Sequence, residues 1–140
     1  KGAMTAAMQN LMSLFDSLKV CKFLLWGGAK PHHVVEWLNL VTGWELDVAS
    51  FIHIGERLFN LKRLYNVRLG VSRKDDTISP RILTLKKGGG AGDNLPPLGR
   101  MLSEYYEVRG WTEEGIPRPE TLVRLGLADF SPAGAAGLEA

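Results

Sequence analysis

The most constraining feature of the sequence is a stripe of apolar residues, Phe51, Ile54, Leu58, Leu61 and Tyr65, spaced three and four apart. It lies behind Asp47 and runs to about Leu69 before Gly70. That spacing puts one apolar face on one long helix. Asp47 offers a side-chain oxygen to the first turn, and Gly70 reaches the left-handed conformation that ends a helix cheaply. The opposite face carries Glu56, Arg57, Lys62, Arg63 and Arg68, so it is expected to meet water or a polar partner. A helix with one apolar face needs other elements to cover it.

The remainder of the chain offers those elements, also as helices. Met8, Leu11, Met12 and Phe15 share a face within Thr5 to Leu18. A short apolar segment, Val20 to Trp26, stops at Gly27-Gly28; Pro31 then opens a helix with Val34, Leu38 and Val41 on one side and Thr42-Gly43 as its stop. Trp44 falls in the connector. Leu98, Met101, Leu102 and Tyr105 mark a helix to about Val108, with Gly110 as stop and Trp111 as an anchor beyond it. Pro119 starts a last short helix bearing Leu122, Val123 and Leu125, closed by Gly126. Polar and apolar residues nowhere alternate long enough for a sheet. The expected fold is therefore all-α, an irregular multihelical bundle with a long Gly/Pro-rich loop.

That loop is expected within Val71 to Pro97, where Asp75-Asp76, Ser79-Pro80 and the run from Gly88 to Asp93 favour turns over packed structure. Its flexible part is placed at 86–97. One helical domain then covers 1–130, followed by a flexible tail at 131–140 too small and glycine-rich to fold alone.

Composition narrows the function. With 45% apolar residues in 140, the chain can build the core of one ordinary domain. A net charge of +2 is too small for a nucleic-acid-binding face. The longest apolar run, Phe23 to Trp26, is far below the roughly 20 residues that span a bilayer, so no membrane association is expected. Cys21 is the one cysteine. It excludes an internal disulfide and an all-cysteine metal site made from this chain alone, and it points to the cytoplasm. The chain opens on Lys1 in residues that already look helical, as though cut from a longer parent. Such a piece would expose apolar surface and self-associate, so a homo-oligomer is among the expected partners.

Chemistry concentrates at Asp16-Ser17-Leu18-Lys19-Val20-Cys21, where a helix gives way to a turn. A neighbouring cation favours the thiolate form of a cysteine, the form that binds soft metals and iron–sulfur clusters, and Lys19 and Lys22 flank Cys21. From spacing alone the plainer account is a small buried thiol beside Phe23 and a solvated Asp16. One thiolate cannot hold a cluster that needs about four ligands.

Other candidates are weaker. His32 and His33 are adjacent, so on a helix their side chains diverge by roughly 100° and suit the surface better than a shared metal. His53 lies one turn from Glu56, close enough for an ordinary side-chain pair. Glu56 and Arg57 can pair with Arg63, Asp75 or Asp76 to fix the following loop. The Gly88 to Gly92 run lacks the lysine and hydroxyl of a phosphate loop and reads as linker. Tyr105, Tyr106 and Trp111 could stack on bases, but their spacing with Leu102 favours core packing. No nucleophile elbow, His-Glu-x-x-His pair or paired-cysteine zinc spacing occurs.

Taken in order, Asp16 to Phe23, Thr42-Gly43-Trp44, Gly55-Glu56-Arg57, Asn60 to Arg68, Arg73 to Asp76, Pro80-Arg81, Glu104-Tyr105-Tyr106, Arg109-Gly110-Trp111 and Leu125-Gly126-Leu127 form a specific series. It resembles the C-terminal part of the aldehyde:ferredoxin oxidoreductase family over about Asp16 to Leu127.

The resemblance implies the C-terminal helical domain of a much longer enzyme, which holds a tungsten or molybdenum bis-pterin beside a 4Fe-4S cluster and passes electrons from aldehyde oxidation to ferredoxin. In the family's Asp-x-x-Gly-Leu-Cys pattern the carboxylate meets a pterin and the cysteine binds the cluster, its other ligands lying upstream. Those roles fall on Asp16 and Cys21. Val20 stands where the leucine backbone lies against the pterin, and Lys19 stands in place of the glycine. The family's aldehyde-oxidising glutamate and histidine lie upstream, so His32, His33 and His53 do not inherit their roles, and the segment alone is expected to be inactive. A rival from a different class is a cofactor-free helical interaction or assembly module that keeps the fold. A related enzyme acting on an aromatic acyl thioester is a third expectation.

Overall fold

The computed structural model describes residues 1–86, 88 and 94–131. Its helices are α1 (Gly2–Leu18), α2 (Phe23–Trp26), α3 (Pro31–Thr42), α4 (Val48–Arg68), α5 (Pro80–Thr84), α6 (Leu98–Arg109) and α7 (Pro119–Arg124), with 3-10 turns at Arg73–Asp75 and Ala128–Phe130. Among the described residues there is no strand, and one isolated bridge joins Trp111 and Pro117. The all-α expectation holds. No helix among these residues is long and apolar enough to cross a membrane.

The helix ends follow the local signals. Asp47 Oδ1 accepts from the Ser50 amide at 2.7 Å and starts α4. The Lys30 amide donates to His33 Nδ1 at 3.0 Å ahead of Pro31, so His33 works as a cap for α3. Gly43 and Gly110 close α3 and α6 at φ 73° and 67°. α1 begins three residues earlier than its apolar stripe suggests, because Gly2 lies against the α6 backbone at Glu104 and Tyr105.

Two apolar clusters and a polar layer make the core. Leu14 and Phe15 of α1, Val34 and Val35 of α3 and Phe51 of α4 form the first cluster; Leu64 of α4 with Leu122, Leu125 and Leu127 forms the second. Between α1, α4 and α6 lies the polar layer. Arg109, 2% exposed, donates to Asn10 Oδ1 at 2.6 Å, to Gln9 Oε1 at 2.7 Å, to the Ala6 carbonyl at 3.1 Å and to the Tyr105 hydroxyl at 3.0 Å. Its guanidinium also lies 4.1 Å from the Phe59 ring centre. Burial pulls its pKa below the ordinary arginine value. The fully buried Asn60 accepts from Trp111 Nε1 at 2.7 Å. Tyr106 and Trp111 are buried, in line with the packing role expected of them.

Three expectations are corrected. Arg63 does not face water. It is 7% exposed, holds Asp76 through two bonds of 2.8 and 2.7 Å, donates to the Gly115 carbonyl at 2.7 Å and lies 5.0 Å over the Trp111 ring. Glu56 does not pair with the following loop. It takes a two-bond contact from Arg124 of α7 at 2.6 and 3.0 Å, while Arg57 reaches the Gly126 carbonyl at 3.4 Å. The Val71 to Pro97 stretch is more than a loop, since it contains α5 and a 3-10 turn fixed by long-range contacts. Arg73 bonds Glu113 Oε2 at 2.7 Å and the Gly99 carbonyl at 2.9 Å, and Asp76 accepts from both Arg63 and the Tyr106 hydroxyl. Burial, then the Asp76 carboxylate, pushes the Tyr106 hydroxyl well above its usual pKa. Of the flexible loop expected at 86–97, residues 87 and 89–93 lie outside the described residues, as do 132–140 of the tail.

Candidate functional site

The Asp16 to Cys21 string occupies the end of α1 and the turn beyond it. The Val20 amide donates to the Phe15 carbonyl at 3.1 Å and the Lys19 amide to the Asp16 carbonyl at 3.4 Å, the paired bonds of a Schellman turn. Such a turn needs a left-handed residue, and Lys19 supplies it at φ 57°, ψ 29°. Among the described residues it is the one non-glycine with positive φ, at a cost of about 1–2 kcal/mol that glycine would not incur. The position where the family pattern has glycine is thus a backbone requirement of the turn, and the lysine meets it with strain.

The turn leaves its functional groups accessible. Cys21 is exposed, which overturns the plainer account of a buried thiol. Asp16 is also exposed but not merely solvated: its carboxylate lies 3.1 Å from Lys22 Nζ and 3.8 Å from Lys62 Nζ of α4. The bond from Lys22, with the charges of Lys62 and Lys19 added, holds the Asp16 carboxyl below the usual aspartate range. Val20 stands at the same surface, and beyond it Phe23 and Trp26 pack at a tilt with ring centres 4.8 Å apart while remaining 67% and 80% exposed.

An exposed thiol suits an iron–sulfur ligand and an exposed carboxylate suits the N–H edge of a heterocycle, so the donors of this turn fit the groups the resemblance implies. They do not complete a site. Among the described residues no three histidine, cysteine, aspartate or glutamate side chains gather closely enough to hold a metal. His32 and His33 lie with ring centres 4.1 Å apart, and Nδ1 of His33 is engaged as a cap. His53 is exposed on α4, where Glu56 is taken by Arg124.

A cleft of about 510 Å³ between α1, α4 and α6 was not foreseen from the sequence. Phe59, Met101, Leu102 and Tyr105 wall it, and the Arg63–Asp76–Tyr106 assembly lines it beside Lys62. No local pattern announces it, because its walls come from residues nearly a hundred positions apart.

Residues 1–127 match the family described as aldehyde ferredoxin oxidoreductase, domains 2 & 3. The tungsten-containing aldehyde ferredoxin oxidoreductase of Pyrococcus furiosus is 37% identical over 131 residues, which cover 91% of this chain and 21% of that protein. The Pyrococcus abyssi protein of the same name is 36% identical over 134 residues, covering 93% and 22%. The WOR-like subunit of an aliphatic sulfonate oxidoreductase from Pyrococcus furiosus is 28% identical over 126 residues, covering 84% and 20%. Among solved structures, the active-site complex BamBC of benzoyl coenzyme A reductase with 1,5-dienoyl-CoA superposes with a TM-score of 0.61 at 26% identity, over 80% of this chain and 16% of that one. The chain spans about a fifth of the length of the curated relatives it matches.

Proposed function

The chain belongs to the aldehyde ferredoxin oxidoreductase family, and on that premise we propose that it is the C-terminal helical domain of a tungsten- or molybdenum-pterin, 4Fe-4S oxidoreductase. The enzyme oxidises aldehydes to carboxylic acids and delivers the electrons to ferredoxin in the cytoplasm. The observation that carries this is the Schellman turn at the end of α1. It presents the Asp16 carboxylate and the Cys21 thiol on one exposed corner, in the order the family pattern requires.

Within that proposal each residue of the turn has a task. Asp16, kept ionised by Lys22 and Lys62, accepts hydrogen bonds from the pterin ring. The backbone of Lys19 and Val20 would help hold the pterin, and Cys21 would supply one thiolate ligand to the cluster. When bound, the pterin-held metal supplies the two-electron chemistry and the cluster carries electrons onward. The three further cluster ligands come from the remainder of the longer chain, which covers Phe23 and Trp26. By itself the domain is inactive and self-associates through that apolar surface.

The test is anaerobic reconstitution of the full-length protein with Cys21→Ser beside the unaltered enzyme. The variant is expected to lose iron and the EPR signal of the cluster; unchanged iron and an unchanged signal would remove Cys21 from the ligand set. A second substrate class has one observation in its favour, the superposition on BamBC. Activity of the whole enzyme with an aromatic acyl thioester, and none with aldehydes, would select it.

A further inference from the structure

We infer that the Lys19 side chain raises the reduction potential of the cluster held by Cys21; this rests on Cys21 being a cluster ligand. Three features of the turn lead to it. Lys19 takes a left-handed conformation in which glycine would be unstrained. Its ammonium group makes no ion pair among the described residues, because the neighbouring Asp16 carboxylate is already shared by Lys22 and Lys62. Three ammonium groups around one carboxylate leave this corner with excess positive charge.

The distance is short. Two residues of chain place the Lys19 and Cys21 α-carbons no more than about 7 Å apart, inside a Debye length of about 8 Å at physiological ionic strength. One-electron reduction adds a negative charge to the cluster, so a nearby uncompensated cation favours the reduced form. A backbone glycine gives the same turn without the charge. Keeping a lysine there, against its conformational preference, is explained if the charge is what the position supplies.

The experiment is EPR-monitored potentiometry on the full-length protein, comparing Lys19→Gly, Lys19→Asn and Lys19→Arg with the unaltered enzyme. Glycine and asparagine both accept the left-handed conformation, so both should keep the cluster but move its midpoint to lower potential, by an amount that shrinks as salt is added. Arginine should keep the midpoint near its original value. Thermal unfolding separates charge from fold, since Lys19→Gly should raise the melting temperature while lowering the potential. An unchanged midpoint in the glycine and asparagine variants overturns the inference, as does an equal fall in the arginine variant. Intact iron and EPR in Cys21→Ser would instead remove the ligand on which both proposals stand.

Discussion

Gly55 of α4 lies against the backbone of Asn10 in α1 so closely that an added β-carbon would stand 2.9 Å from the Asn10 carbonyl carbon and 2.9 Å from Leu14 Cδ1. The missing side chain sets the spacing of the two helices. Because Asp16 lies in the last turn of α1 and Cys21 just beyond its end at Leu18, that spacing also sets where the candidate site stands relative to Lys62.

Replacing Gly55 by alanine should force α1 and α4 apart. Overpacking of this kind costs about 1–3 kcal/mol, which gain of helix propensity does not offset. Urea unfolding of Gly55→Ala checks this, and a variant as stable as the original would show that the contact can relax.

Arg109→Met should lose about 3 kcal/mol, because it strips the buried Asn10 Oδ1 of its partner and removes bonds that tie α6 to α1. Arg109→Lys should recover only part of the loss, since one ammonium group cannot span Asn10, Gln9 and the Tyr105 hydroxyl as the planar fork does. Thermal unfolding of both variants measures the difference.

Glu56 gives the domain an acid-sensitive contact. The two-bond contact with Arg124 lowers its native pKa below 4.5, so its contribution is present above about pH 4.5 and is lost as pH falls through the lowered native value. The pair is partly exposed, which limits it to about 1 kcal/mol or less. Stability of Glu56→Gln should therefore lie below that of the original at pH 7 and converge with it as pH falls through the lowered native value, as followed by urea unfolding from neutral into acid.

Lys19→Gly should stabilise the domain by about 1 kcal/mol, as the left-handed residue of a Schellman turn no longer carries a β-carbon. Calorimetry of the 140-residue chain suffices, and a lower melting temperature would show that the lysine side chain repays its strain within the fold.

Much of this architecture could be read directly from residue spacing. The stripe from Phe51 to Tyr65, the Asp47 cap and the glycines at 43, 110 and 126 mark helices and stops that the structure reproduces. The covered face of α4 nonetheless turns away from the stripe at its end, leaving Leu61 and Tyr65 exposed and burying Asn60, Arg63 and Leu64. The order of short strings from Asp16 to Leu127 carried the family, and the same strings located Asp16, Lys19, Val20 and Cys21 as candidates. These signals are local: they depend on residues three or four apart, or on the conformational range of one residue.

Only the tertiary structure decided which charged residues are inside. Arg63 looks water-facing on its helix, and Asp76 looks like part of a loop, until the half-buried Asp76 carboxylate is seen to join the buried Arg63 and Tyr106 side chains. Arg109 likewise finds its partners about a hundred residues away on α1. The arrival of Lys62 at Asp16 and the exposure of Cys21 belong to the same class. A charge can be buried where a distant group meets it with hydrogen bonds, and periodicity along one helix contains no information about that group.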